Sequence, residues 1–335
     1  MDTLTHIALG ACIGEGMMGR KIGKHSLYLG AVAQSLPDID FFASFFTNPS
    51  QNLLAHRGFT HSLLFSFLVV PLIAYFSERG YRPFNVSHKR WLLFFAVQFF
   101  VHLFIDGFNN YGVGWLEPFS HIRISFNAIY VVDPFFSIWP IAGCICLIFF
   151  RSISNKRMII WKTAILFSGC YLMYCLFNKW LIERPVLNSL SEKHIEFKQV
   201  LTTPAPLQSW LWYIIARTDS GFFVGYYSVF DTKKVELTYY PKNEVLLTGY
   251  EQNNDIKRLK RFAHGFYTIE KYHDTLVFND LRFGQEIGWY KPYEKFAFHY
   301  YIGKGYNNVL VVQRGRFAGW NKEVLKSLWD RARGN

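Results

Sequence analysis

The sequence predicts an α-helical membrane bundle, with four long apolar helices plus two short N-terminal ones, followed by a small β-rich soluble domain. Three observations carry that prediction. Hydrophobic residues make up 51% of the 335 positions and aromatic residues 19%, against 18% charged, which excludes a disordered chain, a coiled coil and a collagen-like repeat. Charge is uneven: 13 of the 36 Lys and Arg residues, and 8 of the 24 Asp and Glu residues, fall within residues 1–178. Beyond Lys179 the long apolar runs give way to short β-branched or aromatic runs broken by Gly, Pro, Asn and Asp. The domains are therefore drawn at 1–178 and 179–335.

A spanning helix needs ~20 mostly apolar residues. Residues 63–76, 91–105, 129–150 and 159–177 come close, and two shorter apolar helices, 4–18 and 25–36, precede them. Basic residues cluster in alternate connections: Arg20, Lys21 and Lys24; Arg79, Arg82, Lys89 and Arg90; Arg151, Lys156 and Arg157. The opposite connections carry Arg57 and Arg123 alone. By the positive-inside rule this places the basic loops in the cytoplasm and both the N-terminus and the C-terminal domain outside. In that domain, residues 222–230, 235–240, 244–248, 275–278 and 309–313 read as strands, and 323–332 as a closing amphipathic helix. The aromatic run Trp289, Tyr290, Tyr293, Phe296, Phe298, Tyr300 and Tyr301 reads chiefly as core. Gly303-Lys304-Gly305 is too short for a phosphate-binding loop.

The net charge of +12 is spread over both halves. Its densest cluster, Lys257-Arg258-Leu259-Lys260-Arg261, is too short for a nucleic-acid module, so no nucleic-acid partner is expected; solvent or anionic lipid headgroups fit it better. Cys12, Cys144, Cys146, Cys170 and Cys175 lie in apolar stretches without metal spacing or a disulfide framework, and read as small buried hydrophobes. No removable signal peptide is expected.

Seven of the eleven histidines fall within the first 121 residues. His6 lies in the first turn of an apolar helix, as a cap, an interfacial group or a ligand. Asp38 and Asp40 follow Pro37 at a helix exit; they either bind local backbone N–H groups or, at an apolar boundary, need a partner or a metal. His56 and His61 bracket an Arg-Gly turn that could aim both rings at one point, unless this is a plain membrane-entry loop. Arg57, the lone base of that loop, is a candidate for an anionic substrate group. His102 and Asp106 stand at i and i+4 on one helix face, able to reach a single ion, or with Asp106 only orienting a neutral His102. By the charge bias all of these lie at the outer boundary. His and Asp without Cys suit zinc or another divalent first-row metal, manganese being the alternative, and the ligand number allows one or two ions.

In order along the chain, MDTLTH with its Gly/Ala-rich helix, LPDID, HRGFTHS and HLFIDGFNNYG resemble the YdjM-type membrane-bound metal-dependent hydrolases. TTPAPLQSWLWYIIARTDSGFFVGYYS and NDLRFG resemble the tail of the longer members. That family is in turn similar to the zinc-dependent phospholipase C superfamily. The resemblance implies a bacterial inner-membrane protein in which His6, Asp38, His61, His102 and Asp106 ligate metal, with Asp40 and His56 as supporting or catalytic groups. The expected function is then hydrolysis at the outer membrane interface of a phosphoester, such as a phospholipid or a lipid-linked phosphate. Asp40 or His56 would serve as general base, and Arg57 with Arg123 would hold a phosphate oxygen. The rival expectations are a proton- or metal-handling transporter, or a metal-stapled scaffold without catalysis.

Overall fold

The computed structural model describes residues 1–151, 154–302 and 320–334. The expected strand at 309–313 and the Gly303-Lys304-Gly305 segment lie outside the described residues. The chain divides into two compact units, one of Met1–Phe46 with Ala55–Cys175, the other of Thr47–Leu54 with Leu176–Asn335.

The first unit is helical. Asp2 caps α1 (Thr3–Ile22) by accepting from the Thr5 N–H at 3.0 Å, and Gly23, at φ +57, ends it. α2 (His25–Ser35) packs on α1 backbone to backbone: a Cβ on Gly14 would lie 2.1 Å from Ser26 O, and one on Gly30 would lie 2.0 Å from Gly10 O. Small residues at such a crossing are how helices associate where no hydrophobic force separates them from lipid. α3 (Pro49–Ala55) lies almost wholly in the second unit. α4 (Leu63–Gly80) is capped by Ser62, whose hydroxyl accepts from the Phe65 N–H at 3.0 Å, and α5 (His88–Asp106) packs along it. Met18, Ile22, Ala33, Trp91, Phe94 and Phe99 form the core these helices share.

Four long spans were expected; among the described residues, two helices are long and apolar enough to cross a membrane, α4 and α7 (Lys156–Glu192). Both are mostly unburied over their apolar windows, at 11% and 22%, so neither is a core helix of a soluble protein. The other two expected spans depart for separate reasons. α5 turns Gln98, His102 and Asp106 into the bundle, and these polar groups, with Lys89 and Arg90 at its start, lower the mean hydropathy of the helix. α6 begins only at Pro134, because the Asp133 carboxylate caps it and Pro134 takes its first position, leaving the 16 residues Pro134–Phe149. Cysteine burial also differs from expectation: all five are free, but only Cys12 and Cys175 are buried, while Cys146 and Cys170 are exposed on apolar helices.

One ion pair ties three of these helices together. Arg157, 2% exposed, donates from Nε to Glu15 Oε1 at 2.8 Å and from Nη2 to Glu15 Oε2 at 2.5 Å, and from Nη1 to the carbonyls of Leu147 and Phe150. The bidentate geometry satisfies both charges away from water. Arg157, counted above among the basic residues of a connection, is thus a buried structural group.

In the second unit, β1 (Gln199–Pro204), β2 (Leu211–Arg217), β3 (Gly221–Ser228) and β4 (Leu237–Pro241) form an antiparallel sheet in sequence order; β5 (Tyr267–Tyr272), β6 (Thr275–Gln285) and β7 (Phe296–Ile302) form a second. β2 is buried on both faces. Trp212, Ile214 and Ala216 pack with Ile182, Val186 and Leu190 of α7, and Tyr213 and Ile215 pack with Phe266, Leu281 and Phe296. α8 (Asn254–Ala263) and the closing α9 (Lys322–Ala332) complete the unit. The segment 244–248, expected as a strand, is a 3-10 turn over Glu244–Leu247, entered through Asn243 in the left-handed region at φ +52, which breaks an extended run. Of the aromatic run, Trp289, Phe296 and Phe298 are core, whereas Tyr290 and Tyr293 are exposed.

Arg157→Ala leaves Glu15 charged and buried, and should cost about 3–5 kcal/mol; an unchanged midpoint of thermal unfolding in detergent would show the pair to be dispensable. In the second unit, burial acts to raise the Glu244 pKa, but bonds from Lys242, Lys260 and Tyr267 outweigh it and hold the carboxyl at about 2. Because the folded value lies below the unfolded one, this contribution is full above the ordinary 4.5 and fades as pH falls toward 2. Glu244→Gln should therefore flatten the fall in unfolding temperature across that window, and parallel curves would refute the assignment.

Candidate metal centre

Four side chains from three stretches of chain meet in the first unit. Asp38 comes from the 3-10 helix Pro37–Phe45, His61 from the turn before α4, and His102 and Asp106 from the last turns of α5. One ligand atom of each lies within 4.8 Å of the others, and no other such group occurs among the described residues. His61, His102 and Asp106 are fully buried, while the Asp38 side chain keeps 18% exposure.

The hydrogen bonds around the histidines fix what their inner nitrogens offer. His102 Nδ1 lies 2.6 Å from the Gln34 carbonyl, which can only accept, so the proton sits on Nδ1 and Nε2 carries a lone pair. His61 Nδ1 faces Asp40 Oδ2 at 3.4 Å and the Thr60 hydroxyl at 3.1 Å, which gives the same tautomer. The two Nε2 atoms stand 3.1 Å apart. Asp38 Oδ1 is 3.4 and 3.6 Å from them, and Asp106 Oδ2 is 3.5 and 3.7 Å away. Four acceptors thus converge with no hydrogen between them, and Asp106 Oδ2 accepts no hydrogen bond among the described residues. Such an arrangement repels itself unless a cation joins it. Tetrahedral ligands at ~2.0–2.1 Å from zinc sit roughly 3.3 Å apart, close to these separations. The residues present therefore fit a divalent ion.

The surroundings hold these ligands in place. Asp40 is an organiser rather than a ligand: its Oδ2 accepts from the Arg57 backbone N–H at 2.6 Å and from the Thr60 hydroxyl at 3.3 Å, and its Oδ1 faces His56 Nδ1 at 3.4 Å. Arg57 adopts φ +55, a left-handed conformation uncommon outside glycine, so that its N–H reaches Asp40 while its side chain turns inward. Burial acts to raise the pKa of Asp40, but the bonds from His56 and His61 outweigh it and hold its carboxyl well below the usual carboxylate range. Burial lowers the His56 pKa, only partly offset by Asp40, so this ring is neutral at pH 7. His56 also remains reachable, with 31% of its side chain exposed.

Several expected site residues fall elsewhere. His6 stands outside the four-atom group; its Nε2 is 3.1 Å from Asp106 Oδ1, its Nδ1 is 3.2 Å from Gln34 Oε1, and its ring stacks on His102 at 3.9 Å. Arg57, expected to hold a phosphate oxygen, is 2% exposed: Nε lies 3.1 Å from Asp106 Oδ2, Nη1 donates to Asn109 Oδ1 at 2.6 Å, and Nη2 donates to Met1 O at 3.1 Å. The Met1 ammonium also contacts Asp106 Oδ1. Arg57 therefore offsets the charge of a buried carboxylate of the cluster instead of facing outward. Arg123 donates from Nη2 to the His56 carbonyl at 2.8 Å and stays on the half-buried rim. Sequence reading missed Gln34, whose carbonyl sets the His102 tautomer, and Thr60. The signal for Gln34 was a lone amide in an otherwise apolar helix; for Thr60 there was none.

The family model described as YdjM inner membrane protein matches residues 1–182. Inner membrane protein YbcI of Escherichia coli (strain K12) is 39% identical over 122 residues, covering 36% of this chain and 69% of its own. Uncharacterized protein YfhP of Bacillus subtilis (strain 168) is 27% identical over 237 residues, covering 67% of this chain and 68% of its own. No solved structure matches. With the matched region spanning every residue of the His/Asp cluster, the chain belongs to the YdjM inner membrane protein family.

Proposed function

We propose that the protein is a metal-dependent hydrolase that cleaves a phosphoester at the outer face of the inner membrane. The observation that carries this reading is the convergence of four proton-free acceptor atoms, from Asp38, His61, His102 and Asp106, on one point. A bound zinc or manganese ion would supply Lewis acidity and an acidified water there. The exposure of Asp38, beside three buried ligands, leaves one side open to substrate, as catalytic rather than structural sites require.

The remaining roles follow from position. Asp40 and the Gln34 carbonyl lock the two imidazoles with Nε2 inward, as carboxylates and carbonyls do behind metal-bound histidines. Arg57 offsets the charge of Asp106. His56, neutral and half-buried with Nδ1 held by Asp40, keeps Nε2 to take a proton from water. Arg123 on the rim is the group placed to meet a substrate anion. Phe41, Phe42 and Phe45, on the same 3-10 helix as Asp38, are 60–68% exposed and suit a site held at a lipid surface.

Elemental mass spectrometry of detergent-purified protein should find one or two zinc or manganese ions per chain, absent from His102→Ala and Asp106→Ala. Asp40→Asn should bind metal ~10–100-fold more weakly. A wild-type protein still metal-free after reconstitution with both metals would end the hydrolase reading.

His56→Gln should keep its metal and lose ~10²–10⁴-fold in hydrolysis of a chromogenic phosphodiester. Since only neutral His56 accepts a proton, and burial sets its pKa below the ordinary 6.5, wild-type activity should rise with pH, with the midpoint of the rise below that value. A profile with no such acid limb would remove His56 from the mechanism.

A further inference from the structure

We infer that the groove between α4 and α5 holds an acyl chain of a membrane phospholipid, with the lipid headgroup at the metal centre. The groove has a volume of about 490 Å³, within the ~300–1,000 Å³ usual for small-molecule sites. Its walls are apolar, with Phe67 and Val70 on α4 facing Ala96 and Phe100 on α5. Ser66 supplies the one lining hydroxyl, and that donates to the Ser62 carbonyl at 3.1 Å.

Its placement identifies the occupant. One end is made by Leu63, two residues after His61, and by Leu103, next to His102; Trp115 lines it, its carbonyl accepting from Leu63 N–H at 3.0 Å and its Nε1 donating to Leu103 O at 3.3 Å. From there the groove runs to Pro71 on α4 and Ala96 on α5, roughly 12 Å of helix away from the site. α4 is one of the two helices fit to span the membrane, and Leu63, Phe67 and Phe100 on the rim are 54%, 75% and 64% exposed. The groove therefore opens at its side onto a bilayer-facing surface, and one of its ends is made by residues that flank His61 and His102 in sequence. A phospholipid whose acyl chain lies in the groove would carry its headgroup at that end. A water-soluble phosphoester would leave the groove to surrounding lipid.

That the bound chain belongs to the substrate rests on the hydrolase reading; that the groove takes an acyl chain does not. The test uses full-length protein in phosphatidylethanolamine–phosphatidylglycerol vesicles containing a phospholipid with a diazirine in its acyl chain. After irradiation, mass spectrometry should map adducts to the groove residues about tenfold above exposed apolar residues of α6 and α7, such as Phe149 and Met173. Ala96→Trp, which fills the groove from an exposed position, should cut the groove adducts by a similar factor and leave those on α7; Ala96→Leu should do so in part. Metal content, measured on the same samples, reports that each variant is folded. Adducts spread evenly over α4, α6 and α7, or unchanged in a metal-loaded Ala96→Trp, would overturn the groove assignment and leave the metal centre standing. Groove adducts in a protein without metal would overturn the hydrolase reading alone.

Discussion

The first unit is organised around Asp106, a carboxylate with no exposure to water. A bare buried charge of this kind costs several kcal/mol, so the chain must bring it partners. It does so from distant stretches: the Met1 ammonium and His6 at Oδ1, and Arg57, His61 and His102 around Oδ2. Each partner is useful only where it stands, which makes the loop after α3, the start of α1 and the end of α5 mutually dependent. Even with Arg57 beside it, Oδ2 accepts no hydrogen bond among the described residues, and the acceptor group around it stays one positive charge centre short. The convergence of acceptors that could hold a metal ion and the packing of Asp106 are the same problem.

Close helix approach makes that convergence feasible. Gly10, Gly14 and Gly30 let α1 and α2 touch through backbone atoms, so the Gln34 carbonyl on α2 can reach His102 while its amide faces His6 on α1. Nine residues along α1 from His6, Glu15 takes the Arg157 guanidinium and sets the other end of the helix. One helix thereby carries a charged partner near each end, with glycines between them.

Much of the candidate site was legible in the chain because its spacing is local. The i, i+4 pair of His102 and Asp106, and the Pro37-Asp38-Ile39-Asp40 helix exit, announce ligand chemistry whatever surrounds them. The division of labour was not legible. Asp38 and Asp40 are two residues apart and chemically identical, yet one points into the acceptor group and the other to the backside of His61 and His56; the tight winding of a 3-10 helix separates them. Arg57 looked outward in sequence because its loop is polar, but its left-handed backbone turns it in. Span counting failed at α5 for a related reason: hydropathy averages over a helix and does not see which face its few polar residues take.

Residue type and short-range spacing sufficed for the helical bundle with a β-rich tail, the family, and the set of His and Asp side chains from which a metal centre could be made, because those features depend on chemistry within a turn or two of chain. Tertiary structure alone selected four of them as convergent, assigned Asp40 and Gln34 to orient the imidazoles, buried Arg57 and Arg157 as counter-charges, and opened the groove beside α4 and α5. Those outcomes depend on distances between segments tens of residues apart. Such distances are set by which helix faces can approach most closely, a property that a linear pattern of residues does not contain.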